Sequence, residues 1–219
     1  MCYIFTARKN QILIVNDKQL EFLSGCILGD GSILKRGAIQ IEQGEKQKEY
    51  LLWKYEQLKP LVSTKPIRLT RKNKNGTINS SYRFVLRQFF RPWRRKIYRN
   101  GKKVINDEIL RNFSPLSLAI WYMDDGCLRS TSQVILCTDC FSKNSIRKLR
   151  KFLMDKWEIE TRIKLKREPA INKVYQRLTI GSVSMVKFFD IIRSYIIPSM
   201  SYKILDPVTT RSIKRRVLK

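Results

Sequence analysis

The chain contains no histidine among its 219 residues. This absence excludes Ser-His-Asp and Cys-His nucleophilic schemes and also nucleases that use a histidine base. Any proton transfer must therefore use water, lysine, aspartate or glutamate. The five cysteines form no disulfide pattern, which indicates a reducing compartment. Cys137 and Cys140 form a CxxC pair, but no second pair follows, so we expect a strand end and a turn there and not a zinc site.

The sequence also lacks an uninterrupted apolar run of the roughly 18 residues that a membrane-spanning helix needs. Its basic charge is not concentrated on one amphipathic helix, so a membrane surface is not the favoured partner. The first 16 residues have neither the pattern of a signal peptide nor that of an Arg- and Ser-rich transit peptide. If the protein works in an organelle, a mitochondrion or a chloroplast, we expect that it is made there.

Acidic residues are scarce. The chain has 18 of them against 45 lysines and arginines, a formal net charge of +27. This excess predicts a polyanionic partner whose binding weakens steeply as salt rises. With 43% hydrophobic residues the chain is globular, and its length suits one large domain or two small ones.

Two stretches of similar character stand far apart in the sequence, at residues 22–31 and 117–126. Each is predicted to be a short apolar helix that ends in an acid followed at once by glycine. The glycine is at the position where a left-handed residue often closes a helix. The start of the second helix is marked by Ser114, a good N-cap, and by Pro115, which suits the first helical position.

The two acids, Asp30 and Asp125, are unfavourably placed for ordinary helices, because the last turn carries a partial negative charge and unpaired carbonyls. A bound cation such as Mg²⁺ would reverse that penalty, since carboxylate and carbonyl oxygens are its preferred ligands. A single copy would be interpreted as a solvated aspartate beside a cap. Two copies in matched contexts favour a metal site.

Gly25 and Gly29 are four residues apart and share one helical face, which permits a second helix to approach closely. The second stretch offers Ala119, but it has Ile120 and Asp124 at the positions that match the two glycines. If the two helices pack together, both acids emerge at the same end, a short distance apart.

Both stretches resemble the LAGLIDADG motif of homing endonucleases, in the single-chain form with two copies. Asp30 and Asp125 align with the motif's metal-binding acid, and residues 118–126 closely match the second motif of mitochondrial intron-encoded members. The resemblance implies an α+β fold, in which a duplicated αββαββα unit forms two antiparallel sheets, a DNA-binding saddle around a central helix pair. It also implies Mg²⁺-dependent hydrolysis of both strands of a long asymmetric DNA target, with two or more divalent ions and staggered ends.

The rest of the chain repeats in the same order. Predicted strands at 39–42, 67–72 and 82–87 and a helix at 46–59 have counterparts after the second motif. The second half has strands at 134–138, 162–166 and 174–180 and helices at 142–157 and from Ser182. We therefore predict two subdomains, 1–112 and 113–219, and a protein that acts as a monomer.

In both halves one face of the predicted strands is rich in basic and polar residues. Alternation alone is only a structural signal, but the resemblance makes this face the DNA surface. The residues expected on it are Arg68, Thr70, Lys72, Arg83, Arg87, Arg162, Lys164, Lys166, Tyr175 and Arg177. Ile67 and Leu69 are expected on the opposite, apolar face. For any one basic residue, a phosphate contact or a solvated position is commoner than base reading.

The resemblance places a lysine near the metal in each half, at Lys103 (or its neighbour Lys102) and at Lys203. Such a lysine would polarise the attacking water or stabilise the pentacovalent phosphate, and a plain phosphate contact is the alternative. Asp124 is expected to be structural, and its carbonyl and that of Gly29 would add metal ligands.

Two other functions stay open at this point. An RNA maturase that assists group I intron splicing would use the same scaffold, because a basic surface does not distinguish intron RNA from double-stranded DNA. A basic architectural protein without chemistry would make the two matched acids a coincidence.

Overall fold

A computed structural model describes residues 2–6, 11–73, 75–206, 209–210 and 212–213. The end of the predicted second subdomain, at 214–219, lies outside the described residues. In the described part the α-helices are α1 (Asp17–Leu28), α2 (Lys48–Leu58), α3 (Arg91–Ile97), α4 (Asp107–Leu110), α5 (Pro115–Asp125), α6 (Lys143–Trp157) and α7 (Ser182–Ile192). Short 3₁₀ helices cover Glu45–Gln47, Lys59–Leu61, Pro169–Ile171, Arg193–Tyr195 and Pro198–Lys203.

From each motif helix onward, two strands, a helix, two strands and a helix follow in the same order in both halves. The strands are β1 (Cys2–Thr6), β2 (Ile12–Asn16), β3 (Ser32–Ile33), β4 (Ile39–Gly44), β5 (Val62–Lys72), β6 (Ile78–Leu86), β7 (Tyr98–Arg99), β8 (Lys102–Lys103), β9 (Gly126–Ser130), β10 (Gln133–Leu136), β11 (Arg162–Glu168) and β12 (Lys173–Gly181). The first half also has the two-stranded hairpins β1-β2 and β7-β8. One antiparallel sheet has the order β3-β4-β6-β5 and the other β11-β12-β10-β9. The predicted duplicated αββαββα fold of α+β class is therefore confirmed.

Side chains cap the N-termini of the two motif helices. In α1 the cap is Asn16, the residue before the first helical position. Its side chain accepts from the N–H of Gln19 at 2.8 Å, and its own N–H donates to the Gln19 side chain at 3.1 Å. α5 starts at Pro115 after Ser114, as predicted. These caps satisfy backbone donors that the first turn leaves without partners.

The C-terminal ends differ from the expectation. α1 ends at Leu28, so Asp30 lies in a turn two residues beyond the helix, whereas Asp125 is the last residue of α5. Gly126 has a φ of −85°, and positive φ values occur instead at other glycines, such as Gly37. The left-handed closures predicted at the motif glycines are therefore wrong. α5 runs directly into β9, whereas a short turn at residues 29–31 joins α1 to β3.

α1 and α5 lie at the centre of the molecule. In α1 all residues from Phe22 to Leu28 are buried, and in α5 all residues from Leu116 to Met123 are buried. A helix that is apolar on every side needs protein around it, and here the two helices face each other and the two sheets. One hydrophobic cluster includes residues of both halves. Among the described residues there is no helix with the length and apolar character that crossing a bilayer requires.

Candidate active site

The two motif helices approach each other most closely at the glycines of α1. A Cβ added to Gly25 would lie 2.6 Å from the carbonyl oxygen of Ser117 and 2.9 Å from the Cβ of Ile120. A Cβ added to Gly29 would lie 2.5 Å from the Cβ of Asp124. Real Cβ atoms do not approach other atoms this closely, so larger residues would separate the helices. Ala119 is fully buried, but Ser117, Ile120 and Asp124 are the residues nearest to the glycines.

The side chain of Asp124 lies in this seam and is fully buried, as is that of Lys54 from α2. Lys54 Nζ is 2.5 Å from Asp124 Oδ1 and 4.2 Å from the centre of the Tyr50 ring. Although burial lowers the pKa of Lys54, Asp124 and the neighbouring anionic groups outweigh it, so the pKa is raised and the lysine stays charged. The expected structural role of Asp124 is thus an ion pair between the two halves.

Asp124 is also tied to the first acid. Its Oδ2 accepts from the backbone N–H of Asp30 at 3.1 Å. Gln43, a buried residue of β4, donates its Nε2 to Asp30 Oδ2 and to Asp124 Oδ1, both at 3.0 Å. These contacts join the tip of α1 to the tip of α5, so Asp30 and Asp125 emerge at the same end of the helix pair.

The electrostatics of the two acids reflect this convergence. Asp30 is exposed on one side, but partial desolvation at the tip of α1 and, next, the charge of Asp124 raise its pKa. Burial, followed by the charges of Asp30 and Asp124, raises the pKa of Asp125 from 3.8 to about 7. Within the described part of the chain, the Asp125 carboxylate has neither a hydrogen bond nor an ion pair. The site therefore brings three carboxyl groups close together, and among the described residues Asp125 has no direct ion pair that would neutralise it.

The two expected lysines lie at the carbonyl ends of their own motif helices. Lys103 Nζ donates to the carbonyl oxygen of Gly29 at 2.7 Å. Lys203 Nζ donates to the carbonyl oxygens of Met123 and, at 3.4 Å, Asp124. Burial lowers the pKa of both lysines, although the acids nearby oppose that effect. Each half thus places one ammonium group beside its acid.

The donor set is compatible with a hard divalent cation. Two carboxylates with raised pKa values and backbone carbonyls at the helix ends offer only oxygen, which Mg²⁺ prefers. Among the described residues, no three side chains of His, Cys, Asp or Glu cluster as a ready-made protein cage. Mg²⁺ commonly takes only one or two carboxylates and completes its shell with water and substrate phosphates, so the residues fit.

In the second sheet the basic face is as predicted. Leu178 and Ile180 are buried, and the register pairs Lys164 with Arg177 on the other face. The face that points away from the core carries Arg162, Lys164, Lys166, Tyr175 and Arg177. Arg177 is held in place by Asp139, with its Nε 2.7 Å from Asp139 Oδ1.

In the first sheet, part of the prediction is wrong. Phe84 is buried, so Arg83 lies on the face away from the core, as expected, and Ile67 is its cross-strand partner. Arg68 pairs with Tyr82 and therefore lies on the same side as Phe84, and Thr70 and Lys72 follow the same alternation. β5 is an edge strand with two register irregularities between Val62 and Ile67, and it extends past the core. Its apolar residues therefore do not mark the inner face.

Arg87 lies neither on the outer face of the first sheet nor on its inner face. It lies one residue beyond β6, where its backbone N–H donates to the carbonyl oxygen of Leu61 at 3.0 Å. Its exposed side chain lines a cleft at the end of the first sheet and does not lie on the strand face.

The two motif helices and the two sheets have counterparts in known proteins. The model of the LAGLIDADG DNA endonuclease family matches residues 20–188, more than three quarters of the chain. The chain belongs to this family. The matched region contains both LAGLIDADG motifs and both four-stranded sheets.

The relatives of this LAGLIDADG protein include DNA endonucleases and an mRNA maturase. The structure of the homing endonuclease I-WcaI bound to its DNA recognition sequence is similar, with a TM-score of 0.76, 28% identity and 87% of each chain covered. The DNA endonuclease I-ChuI of Chlamydomonas applanata is 27% identical, over 88% of this chain and 96% of that protein. The cytochrome b mRNA maturase bI2 of Debaryomyces hansenii is 30% identical, over 87% of this chain and 74% of that protein.

Bacterial proteins are also among the relatives. Protein RecA of Mycolicibacterium flavescens is 29% identical over 87% of this chain and 47% of that protein. The chain spans about half the length of most of the RecA proteins that it matches and 28% of the one from Mycobacterium leprae.

Sequence reasoning missed two residues of the LAGLIDADG centre, Gln43 and Lys54. Gln43 ends the predicted alternation of the first strand on its apolar side, where a polar side chain needs a partner. Lys54 lies in the predicted helix 46–59 between apolar residues. The signal that pointed to it was Asp124 at a position that matches a glycine, since a carboxylate in a helix seam requires a cation.

Proposed function

We propose that this protein is a monomeric, site-specific DNA endonuclease that hydrolyses one phosphodiester in each strand of a long asymmetric target. The observation that supports it most is the convergence of Asp30 and Asp125 at the tips of two packed helices, where no described residue pairs with the Asp125 carboxylate. One acid from each half suits one cut in each strand. Phosphates that face each other across a minor groove belong to base pairs a few steps apart, so the ends would be staggered.

Asp30 and Asp125 would hold the divalent ions, and the carbonyl oxygens of Gly29 and Asp124 would add ligands. When bound, Mg²⁺ would activate the attacking water and stabilise the leaving 3′ oxygen. Gln43 orients the Asp30 carboxylate through its hydrogen bond, and the backbone N–H of Asp30 is held by Asp124. These contacts would fix the acid before substrate arrives, which reduces the reorganisation that catalysis requires.

Lys103 and Lys203 would stabilise the negative charge that develops on the phosphoryl group in the transition state, or polarise the attacking water. Because their pKa values are lowered, these two lysines can release a proton near neutral pH more readily than exposed lysines can. Each is held by a carbonyl oxygen of its own motif helix, so its ammonium group is positioned beside the acid of the same half. Because the chain has no histidine, proton transfer at this site would use these lysines, water or the carboxyl groups.

DNA would lie along the outer faces of the two sheets. Basic and polar residues there suit both phosphates and base edges, with Arg reading guanine and Gln reading adenine. Arg83, whose Nη1 is 3.3 Å from Gln40 Oε1, is such a base-reading candidate in the first sheet. Ile67 is 48% exposed on the same face and suits contact with a thymine methyl group. The two faces carry different residues, which would make the target asymmetric.

The proposal is tested by incubating the purified protein with Mg²⁺ and a randomised duplex library and sequencing the cut ends. We expect one preferred site with a constant stagger and a requirement for the divalent ion. A library that stays intact while the protein still binds DNA would contradict nuclease activity. Sedimentation in the presence of the cut site would test the monomer, because an obligate dimer would contradict a centre built by one chain.

RNA maturase activity is the second candidate, and its support is the 30% identity to a cytochrome b mRNA maturase. That relative also fits the organellar location expected from the sequence. Splicing assays with the host intron RNA would test it, and the Asp30→Asn variant would separate the two activities. Splicing should survive that change, since it does not require hydrolysis by the acids.

A further inference from the structure

A basic cleft of about 910 Å³ opens at the far end of the first sheet. The cations that line it are Lys35, Arg36, Arg87, Arg91 and Arg95, and no acidic residue lines it. All five side chains are exposed, and no carboxylate among the described residues pairs with any of them. All 18 acids of the chain belong to the described residues.

The grouping of five cations around one concavity, without a carboxylate among them, distinguishes the cleft from the two sheet faces. On the two sheets, several arginines and lysines are paired. Arg71 Nη2 is 3.1 Å from Glu42 Oε2, and Arg177 is paired with Asp139. Paired cations are oriented and partly neutralised, whereas five unpaired cations around one concavity repel each other until an anion binds. The cleft therefore has the character of an anion site.

The cleft is also built by a fixed backbone arrangement. The turn between β3 and β4 is closed by a hydrogen bond from the N–H of Leu34 to the carbonyl of Ala38 at 2.8 Å. Gly37 in this turn has a φ of +92°, and its carbonyl accepts from the N–H of Phe90 at 2.8 Å. A Cβ at Gly37 would lie 2.7 Å from the backbone nitrogen of Arg91. The turn that carries Lys35 and Arg36 is thus held against the start of α3.

The position of the cleft indicates which anion it takes. β4 runs from Ile39, beside the turn, to Gln43, which contacts Asp30. Four residues of extended strand cover about 14 Å, which corresponds to roughly four base pairs of B-DNA at 3.4 Å each. The cleft lies at the end of the first sheet away from Asp30, where β4 and β5 begin and β6 ends. Duplex DNA that follows the sheet past this end would therefore come within reach of the cleft on the flank of the target.

Among the described residues, the corresponding elements of the second half carry less free charge. The turn between β9 and β10 contains Thr131 and Ser132, which carry no charge. Lys187 of α7 is paired with Glu158. At these elements, the part of the chain that the structure describes therefore offers a hold on flanking phosphates in the first half alone.

We propose that the cleft is a phosphate clamp, which binds the DNA backbone on one flank of the target, outside the bases that the first sheet reads. This inference rests on the proposed function, since it assumes duplex DNA on the sheet faces. The clamp makes no base contacts, so it adds affinity and orients the asymmetric target without altering its sequence preference.

The test compares two double variants that remove the same charge. Arg91→Gln with Arg95→Gln alters the cleft, and Arg147→Gln with Lys148→Gln alters the exposed face of α6. Binding to a long duplex in EDTA, between about 50 and 200 mM salt, should give a log–log salt slope smaller by about 1.8 for the cleft variant. The control should retain the wild-type slope. Equal slopes for the two variants would overturn the clamp.

Neutral methylphosphonates placed one at a time along the target's flanks locate the contact. The wild-type protein should lose affinity at positions on one flank only, and the cleft variant should be insensitive there. Equal sensitivity of the wild-type protein on both flanks would overturn the inference. So would a cleft variant that binds the DNA as tightly as the wild type but has lost binding to structured RNA. Cleavage by the wild-type protein is scored separately with Mg²⁺, so a failed clamp and a failed nuclease assignment give different results.

Discussion

Replacing Lys54 by methionine should destabilise the protein by about 3–5 kcal/mol, the range observed when one partner of a buried ion pair is removed. Methionine keeps the length and flexibility of the lysine stem, so packing changes little. What is lost is the charge that lies 2.5 Å from Asp124 in a seam where both side chains have zero exposure. Hydrogen bonds from Gln43 and from the backbone of Asp30 remain, so we expect a loss near 3 kcal/mol.

The measurement is equilibrium unfolding in urea, where a loss of about 3 kcal/mol lowers the midpoint by roughly 1 M or more. The double variant Lys54→Met with Asp124→Asn removes both charges and should recover a large part of that loss. A matched control is the surface pair Lys151 and Asp155, whose side chains are 77% and 57% exposed at 2.7 Å. Lys151→Met should cost no more than about 0.5 kcal/mol.

Two results would refute this reasoning. A loss below about 1 kcal/mol for Lys54→Met would mean that Asp124 is solvated in solution. Strictly additive losses in the double variant would mean that the two side chains do not interact. Either result would remove the ion pair as the element that fixes the two motif helices against each other.

Further predictions concern the acids, one lysine and the helix contact. Asp30→Asn or Asp125→Asn should abolish double-strand cleavage in a plasmid assay with little effect on DNA affinity, and undiminished cutting would remove their metal role. Lys203→Met should lower the single-turnover rate more than the affinity, whereas equal losses would identify a plain phosphate contact. Gly25→Val should lower the thermal midpoint, because an added Cβ meets Ser117 at 2.6 Å. Gly44→Ala, with open space around it, is the control, and equal midpoints would refute the close helix contact. In EDTA, the wild-type protein should lose stability relative to Asp125→Asn as pH rises from about 4 to 7, by at most about 4 kcal/mol. The reason is that folding raises the pKa of Asp125 from 3.8 to about 7, so the folded state disfavours ionisation. Parallel pH profiles of the two proteins would contradict this.

The motif helices and their acids could be predicted from the sequence because each signal is local and is repeated. An apolar helix, its N-cap and the acid that follows it occur within fifteen residues of sequence, Asn16 to Asp30 and Ser114 to Asp125, and the second copy supports the first. Lys103 and Lys203 depended on the family resemblance, which aligns them with a known position. The structure places each beside the carbonyl end of its motif helix, and their chemical role stays a prediction.

The parts that could not be predicted depend on long-range register. Lys54 contacts Asp124 across 70 residues of sequence, and no local pattern distinguishes it from a solvated lysine. The inner and outer faces of β5 depend on pairing with β6 and on irregularities near its start. Ile67 and Arg68 therefore exchange the faces that their hydrophobicity predicts. Edge strands that extend past a core follow their neighbour's register, since burial no longer selects the face.

The seam between α1 and α5 explains why two different halves in one chain have an advantage over a symmetric dimer. In an isologous dimer, the same residue faces its own copy across the axis. Two glycines at the Gly29 position would leave a gap, and two aspartates would place two carboxylates beside one another at a buried site. Here Gly29 has no side chain, so Asp124 occupies the space and reaches Lys54 from the other half. Duplication within one chain permits this asymmetric fit, and the same asymmetry makes Asp30 hydrogen-bonded to Gln43 while Asp125 lacks such a partner.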